Sequence, residues 1–428
     1  MLRLKKLLAV TVLSLMTACV AAKSAEAPDA DPFAQMKAQS QNGTAPATGN
    51  NLTGPVVIPS APEFEAQSWV LMDYASGRII TEHNCHEKIW PASLTKMMTS
   101  YVIGMELKAG RLHMDDDVVI TEDAWSKNYS DSSKMFIEVG KTIKVGDLVR
   151  GIIIQSGNDA CVAMAIHLAG TEQGFVSVMN DYAQKLGLKD THFSNVHGLF
   201  DEMNYSSAYD MVLLGRALIR DLPEEYAIYS QKEFTFNGIK QMNRNRLLWD
   251  KTMNVDGIKT GHLSQVGYNL VASSALDNMR LIAAVIGAKS DKQRAQDCKA
   301  LLTFGFRYFE LYTPFTANKP LLNREVRKGE KGSIDLVLPE NLSVMIPRGS
   351  QNNIKINYRL KNSKFIAPIK KGEELGVVRV TLDDKPLASM PLIASEDIGE
   401  GGFITKTWDS IVLFFTGSDS EDAVDEEE

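Results

Sequence analysis

The chain has 428 residues, 44% hydrophobic and 23% charged, which supplies apolar material for a substantial core and, at this length, for two folded domains. Its formal net charge of −7 sits in the C-terminal tail, where Asp419, Glu421, Asp422, Asp425, Glu426, Glu427 and Glu428 leave the remainder neutral. Wholesale disorder is excluded, and so is a Lys/Arg-rich face of the kind that neutralises nucleic-acid phosphates.

In chain order, Arg3, Lys5 and Lys6 precede an apolar run over 7–16 and small residues over 17–22, the pattern of an export signal. Two processing routes fit residues 1–22. Val20-Ala21-Ala22 suits ordinary cleavage, and Met16-Thr17-Ala18-Cys19 resembles a lipoprotein signal whose cysteine is acylated. If Cys19 leaves with the signal, Cys85, Cys161 and Cys298 remain, and an odd number cannot all pair internally. Cys161, in the apolar run Ala160-Cys161-Val162-Ala163, reads as a small core residue. No Cys/His spacing reads as a metal site, and no cofactor is expected.

Residues 23–61 are rich in Ala, Pro, Gly, Asn, Ser and Gln and read as a flexible spacer. A strand is expected over 68–73, a turn over 74–77 and a partner strand over 78–82. Helical spacing begins after Pro91 and marks 94–108, 145–155, 159–169, 175–186 and 207–219. Beyond Asn254 the pattern turns β-branched, with 268–274 and 279–287 flanking Leu276-Asp277-Asn278 as a hairpin, and 291–308 closing as a helix. Strands at both ends of this region are therefore expected to share one sheet, with helices between them.

From 314 to 396 the chain reads as a small all-β domain, with strands over 334–338, 342–346, 354–360, 375–382 and 387–392. Pro339, Pro347, Pro368, Pro386 and Pro391 are expected at strand ends or edges, where a missing backbone donor is tolerated. In 397–417, Phe403, Trp408, Phe414 and Phe415 gather on one helical face opposite Lys406 and Asp409. That helix is too short to span a bilayer and is expected to lie on a membrane surface, packing back on the β domain being the alternative. An acidic tail over 418–428 follows.

Chemistry is concentrated in three short motifs. Pro91-Ala92-Ser93-Leu94-Thr95-Lys96 sets a serine and a lysine one helical turn apart, so that the ammonium nitrogen can reach the hydroxyl and take its proton. Ser156-Gly157-Asn158 interrupts two helical runs, and Lys259-Thr260-Gly261, unique in the chain, is expected to open a strand. Taken singly, the Ser-x-x-Lys and Ser-x-Asn spacings are weak evidence; all three in this order are the signature shared by penicillin-binding proteins and class A β-lactamases.

The chain resembles the low-molecular-mass D-alanyl-D-alanine carboxypeptidases in particular. The likeness rests on those motifs, on the segment 243–249 around Arg244, and on Val255-Asp256-Gly257-Ile258-Lys259-Thr260-Gly261-His262, and it runs from about 64 to 415. It implies an α+β fold: a DD-peptidase/β-lactamase-like domain over 62–313, an antiparallel sheet with a helical subdomain, followed by the all-β domain. It also implies that Ser93 attacks the peptide carbonyl, Lys96 takes its proton, Ser156 relays a proton to the leaving D-alanine and Asn158 orients Lys96 and the substrate amide. Lys259, Thr260 and Arg244 would hold the terminal carboxylate, while Gly261 and the backbone N–H of His262 border the oxyanion hole with that of Ser93.

The partners implied are peptidoglycan stem peptides ending in D-Ala-D-Ala, β-lactam antibiotics and, through the C-terminal helix, the periplasmic face of the cytoplasmic membrane. Two rival readings stand beside this one. A class A-like β-lactamase shares the serine and lysine but needs a glutamate-positioned water to hydrolyse the acyl-enzyme, and the appended all-β domain and terminal helix favour the carboxypeptidase. A catalytically idle penicillin-binding scaffold or sensor would not need all of Ser93, Lys96, Ser156 and Lys259. His197-Gly198 and Ser133 are further candidates for the rim of the site, and Arg246 stands where the family pattern suggests glycine.

Overall fold

The structure, a computed structural model, describes residues 58–402. The signal, Cys19, most of the spacer, the amphipathic segment from Phe403 and the acidic tail lie outside them. Five antiparallel strands form the central sheet in the spatial order Ile79–His83, Ser68–Asp73, Met279–Ala288, Gly267–Leu276 and Val255–Leu263. Strands from both ends of the region thus share one sheet, as expected.

Alternation along these strands explains the layering. Val70, Met72, Ile282, Ala284 and Ile286 face a core shared with the helices between the two halves of the sheet. Their neighbours Trp69, Leu71, Leu281, Ala283 and Val285 face a second core closed by Cys298, Leu301 and Leu302 of the helix Asp291–Tyr308. With both faces covered, the free edge at Val255–Leu263 is where a groove can form.

The helices start where a side chain satisfies orphan backbone donors. Thr171 Oγ1 accepts from Gly174 N at 3.0 Å before Glu172–Lys185, Ser207 Oγ from Asp210 N at 3.1 Å before Ala208–Asp221, and Ser290 Oγ from Gln293 N at 3.1 Å before Asp291–Tyr308. The run expected over 145–155 divides into an α-helix Val145–Arg150 and a π-turn Gly151–Gln155. A Cβ on Gly151 would lie 2.2 Å from Met135 Sδ, so this residue lets the loop carrying Met135 press against the turn.

Beyond the closing helix, a six-stranded sheet and the pair Phe309–Phe315 with Leu342–Pro347 enclose a third core that includes Leu336, Val344, Val378 and Leu392. Phe309–Phe315 straddles the border expected at 314. Leu322–Arg327, whose charged residues masked it in the sequence, is a further strand. Pro386 and Pro391 lie inside Lys385–Ala394 rather than at its ends, and the reason they are tolerated is topological. On one side that strand pairs only through Ile393 and Ala394, so at both prolines one edge has no ladder to break.

Lys259-Thr260-Gly261 lies in the second half of Val255–Leu263 and does not open a strand, because Val255, Gly257 and Ile258 are already buried in the sheet. Cys85, Cys161 and Cys298 are all free and buried. Among the described residues no helix is long and apolar enough to cross a membrane.

Candidate active site

Three segments meet at the free edge of the sheet around a cleft of about 1080 Å³. The first is the 3₁₀ turn Ala92–Leu94, which runs straight into the helix Thr95–Lys108 and holds Ser93 half-buried at its start. Ala92 adopts a left-handed backbone at φ 54° to make this entry. One turn on, Lys96 is 1% exposed and its Nζ donates to Ser93 Oγ at 3.2 Å, Asn158 Oδ1 at 2.7 Å and the His197 carbonyl at 2.5 Å.

The second segment turns a corner at Ser156, left-handed at φ 67°, and re-enters helix at Asn158–Ala169. Asn158 Nδ2 donates to Ser132 Oγ at 2.9 Å while its Oδ1 receives Lys96, so one amide joins the lysine to the far rim. Asp159, next in sequence, is buried and accepts from the backbone N–H groups of Met135, Phe136 and Ile137 at 2.8, 3.0 and 3.2 Å. Burial raises its carboxyl, against the pull of those backbone bonds. Asp159 therefore hangs the 130–137 loop over the cleft.

The third segment is the edge strand. Lys259 is buried, and its Nζ donates to Ser156 Oγ at 3.0 Å and to the Thr260 carbonyl at 3.1 Å. Gly261 faces the nucleophile turn so closely that a Cβ there would sit 2.9 Å from the Pro91 carbonyl oxygen and 3.4 Å from Ser93 N. Any side chain would push the strand off Ser93. Thr260 and His262 line the cleft on either side, His262 exposed with its ring 4.2 Å from that of Tyr268.

Arg244 enters from above, and its neighbours explain why. Asn243 and Asn245 are buried and pinned: Asn243 donates to the Tyr229 and Gln231 carbonyls at 3.3 and 3.0 Å, and Asn245 donates to the Gly257 carbonyl at 2.8 Å. Arg244 between them lines the cleft. The preceding hairpin, Glu233–Phe236 with Ile239–Met242, went unread in the sequence although its Asn237-Gly238 turn was the available signal.

Charge is the dominant property of this cleft. Among the described residues, no carboxylate lies within ion-pair distance of Lys96, Lys259 or Arg244. Burial pushes Lys96 down to about 8, with the Arg244 cation adding to that and the Asp159 carboxylate opposing it. Burial and the cations of Lys96, Arg244 and Arg294 hold Lys259 well below the usual lysine range. Such a site has one partly neutral amine beside a hydroxyl and unmet positive charge opposite it. It suits a substrate that is both an electrophile and an anion.

Every site residue expected from the sequence, Ser93, Lys96, Ser156, Asn158, Arg244, Lys259, Thr260, Gly261 and His262, falls within this one constellation. His197 and Gly198 border it too: the His197 carbonyl holds Lys96, and a Cβ on Gly198 would lie 1.8 Å from the Ala92 carbonyl oxygen. Ser133 lines the rim. Reading the sequence missed Ser132 and Asp159, and also Arg294, which donates to the Gly261 carbonyl at 2.8 Å from inside the closing helix.

Comparison with known proteins places this geometry in context. Residues 56–290 match the family described as D-alanyl-D-alanine carboxypeptidase, and residues 309–400 match the penicillin-binding protein 5, C-terminal domain. The chain is 50% identical over 357 residues to D-alanyl-D-alanine carboxypeptidase DacA of Haemophilus influenzae, covering 83% of this chain and 91% of that protein. It is 48% identical over 358 residues to D-alanyl-D-alanine carboxypeptidase DacC of Escherichia coli, covering 83% and 90%. Among solved structures, penicillin binding protein 5 from Haemophilus influenzae superposes with a TM-score of 0.77 at 50% identity, over 80% of this chain and 100% of that one. Penicillin binding protein 6B from Escherichia coli gives 0.66 at 43% identity, over 78% and 97%.

Proposed function

The chain belongs to the D-alanyl-D-alanine carboxypeptidase family of low-molecular-mass penicillin-binding proteins, and from that premise we propose how its residues divide the work of a serine-type carboxypeptidase. Its substrate class is the peptidoglycan stem peptide ending in D-Ala-D-Ala. The observation that carries the assignment is Lys96: buried, without a carboxylate partner among the described residues, 3.2 Å from Ser93 Oγ and pushed down to about 8.

The terminal carboxylate of the peptide docks against Lys259, Thr260 and Arg244. Its charge favours the protonated form of Lys259 and so leaves Lys96 as the amine able to accept a proton. Ser93 Oγ bonds to the carbonyl carbon of the penultimate D-alanine as its proton passes to Lys96. The oxygen that gains charge faces the backbone N–H groups of Ser93 and His262. Ser156, held by Lys259, then relays that proton from Lys96 to the leaving nitrogen as the C–N bond breaks, so that Lys96 returns to its neutral form and free D-alanine departs. Water attacks the acyl-enzyme with Lys96 again as base, which restores Ser93. A β-lactam follows the same first step, its own carboxylate occupying the cationic pocket. Asn158 positions Lys96 throughout.

Two measurements test this reading. Peptide mass spectrometry after penicillin labelling is expected to place the adduct on Ser93, and a D-Ala-D-Ala pentapeptide is expected to release D-alanine. An adduct on Ser156 or Ser133 overturns the division of roles, and labelling without D-alanine release favours the idle scaffold. The export signal and the amphipathic segment support a periplasmic enzyme resting on the cytoplasmic membrane through residues 403–415.

A further inference from the structure

Upstream of the nucleophile segment, three potential metal ligands converge in one turn. The strand Ile79–His83 ends beside Asn84, whose left-handed backbone at φ 49° begins a turn closed by Glu87 N to the Asn84 carbonyl at 2.9 Å. That turn folds Cys85 back onto Glu82, with Sγ donating to Oε2 at 2.5 Å, and sets His86 beside both. One donor atom each from Glu82, Cys85 and His86 lies within 4.8 Å of the others. The expectation that no Cys/His spacing forms a metal site considered sequence spacing alone, and this group has the compact E-x-x-C-H spacing with a carboxylate as its third member.

From this convergence of thiol, imidazole and carboxylate we propose that Glu82, Cys85 and His86 form a zinc site that fixes the segment leading to Ser93. A thiolate with an imidazole selects a borderline-soft cation, and three protein donors with one open position are a normal zinc complement. Binding replaces the thiol proton, and the Cys85–Glu82 hydrogen bond gives way to two bonds to the metal.

A second feature accords with the site. His86 Nδ1 lies 2.8 Å from Asp190 Oδ2, the contact by which a carboxylate orients a ligating histidine and leaves Nε2 as its donor. Asp190 is itself held by Ser207 Oγ at 3.3 Å, and the His86 ring rests 4.5 Å from that of Tyr209. Glu82 and His86 are exposed and Cys85 buried, so ligands reach the cation from one side and solvent from the other. The Cys85 carbonyl accepts from Tyr209 N at 2.9 Å, and Ile89 pairs with Ser206, so a cation here would tighten the same strap that delivers Pro91 and Ser93.

Cobalt substitution tests this in the full chain. Metal-stripped protein titrated with Co²⁺ is expected to develop an ultraviolet thiolate-to-cobalt absorption band saturating at one equivalent, and Zn²⁺ is expected to abolish it. Cys85→Ser is expected to remove the band. His86→Ala, at an exposed side chain, and Asp190→Asn are each expected to weaken Co²⁺ binding about tenfold or more with the circular dichroism spectrum unchanged. Zn²⁺ is expected to raise the melting temperature of the parent and not of Cys85→Ser. Absence of the band, or a band that persists in Cys85→Ser, overturns the proposal, and so does unaltered affinity in His86→Ala.

Discussion

The pH dependence of acylation puts the Lys96 assignment at risk most directly. With its amine pushed down to about 8, roughly one molecule in ten carries neutral Lys96 at pH 7, against about one in 3,000 for a lysine at the ordinary 10.5. The neutral form is the base, so acylation is expected to be fastest above the folded value and to fall about tenfold per pH unit below it. The assay is stopped-flow acylation by a fluorescent penicillin from about pH 5 to about pH 9, because the antibiotic carboxylate stays ionised throughout and only the protein titrates. Lys96→Arg, which cannot deprotonate in this range, is expected to lose acylation at every pH while retaining its fold. A rate that stays level between about pH 6 and about pH 8, or a folded Lys96→Arg protein that still acylates, would refute Lys96 as the base.

Three further outcomes follow from contacts at the site. Gly261→Ala brings a Cβ to 2.9 Å from the Pro91 carbonyl and is expected to cut acylation more than tenfold, read by the same labelling assay, while thermal unfolding changes little. Asp159→Ala leaves the buried N–H groups of Met135, Phe136 and Ile137 without their acceptor and is expected to lower stability by about 3 kcal/mol in urea unfolding, with labelling slowed as the 130–137 loop loosens. A chain ending at Glu400 is expected to leave the membrane fraction yet still release D-alanine, since every proposed catalytic residue precedes it; retention of that truncated, signal-cleaved chain on membranes would transfer the anchor to Cys19.

What could be read in the sequence was what local spacing encodes. Ser93 and Lys96 share one helical turn, so their meeting needed no tertiary knowledge, and the β-branched apolar runs over 268–274 and 279–287 marked two strands of the central sheet. What stayed hidden depended on partners distant in the chain. Asp159 looked like an ordinary first-turn acid, and only the fold shows that its oxygens are filled by backbone from residues 135–137. Arg294 looked like one charge among several on an amphipathic helix, yet it is 5% exposed and bonded to the Gly261 carbonyl. The strand Leu322–Arg327 went unread because only Leu322 and Val326 mark its inward face, with Arg324 between them on that same face, too few apolar positions to outweigh Asn323, Arg324 and Glu325.

Arg246 departs from the glycine that the family pattern suggests, and its contacts direct its charge away from the proposed carboxylate pocket. Its Nε pairs with Asp291, the first residue of the closing helix, so its charge is already matched. Asp291 also holds Arg294 at 2.5 Å, and Arg294 reaches the Gly261 carbonyl on the strand that faces Ser93. Arg246 is thus the outer end of a polar chain running from the cleft mouth to the back of that strand. Arg244, two residues earlier, has no carboxylate within ion-pair distance among the described residues and is the cation proposed to meet a substrate carboxylate. The extra arginine therefore adds support behind the edge strand without adding a competing anchor to the pocket. Loss of its exposed ion pair alone is worth at most about 1 kcal/mol, so Arg246→Gly is expected to leave the carboxylate binding proposed for Arg244, Lys259 and Thr260 little changed.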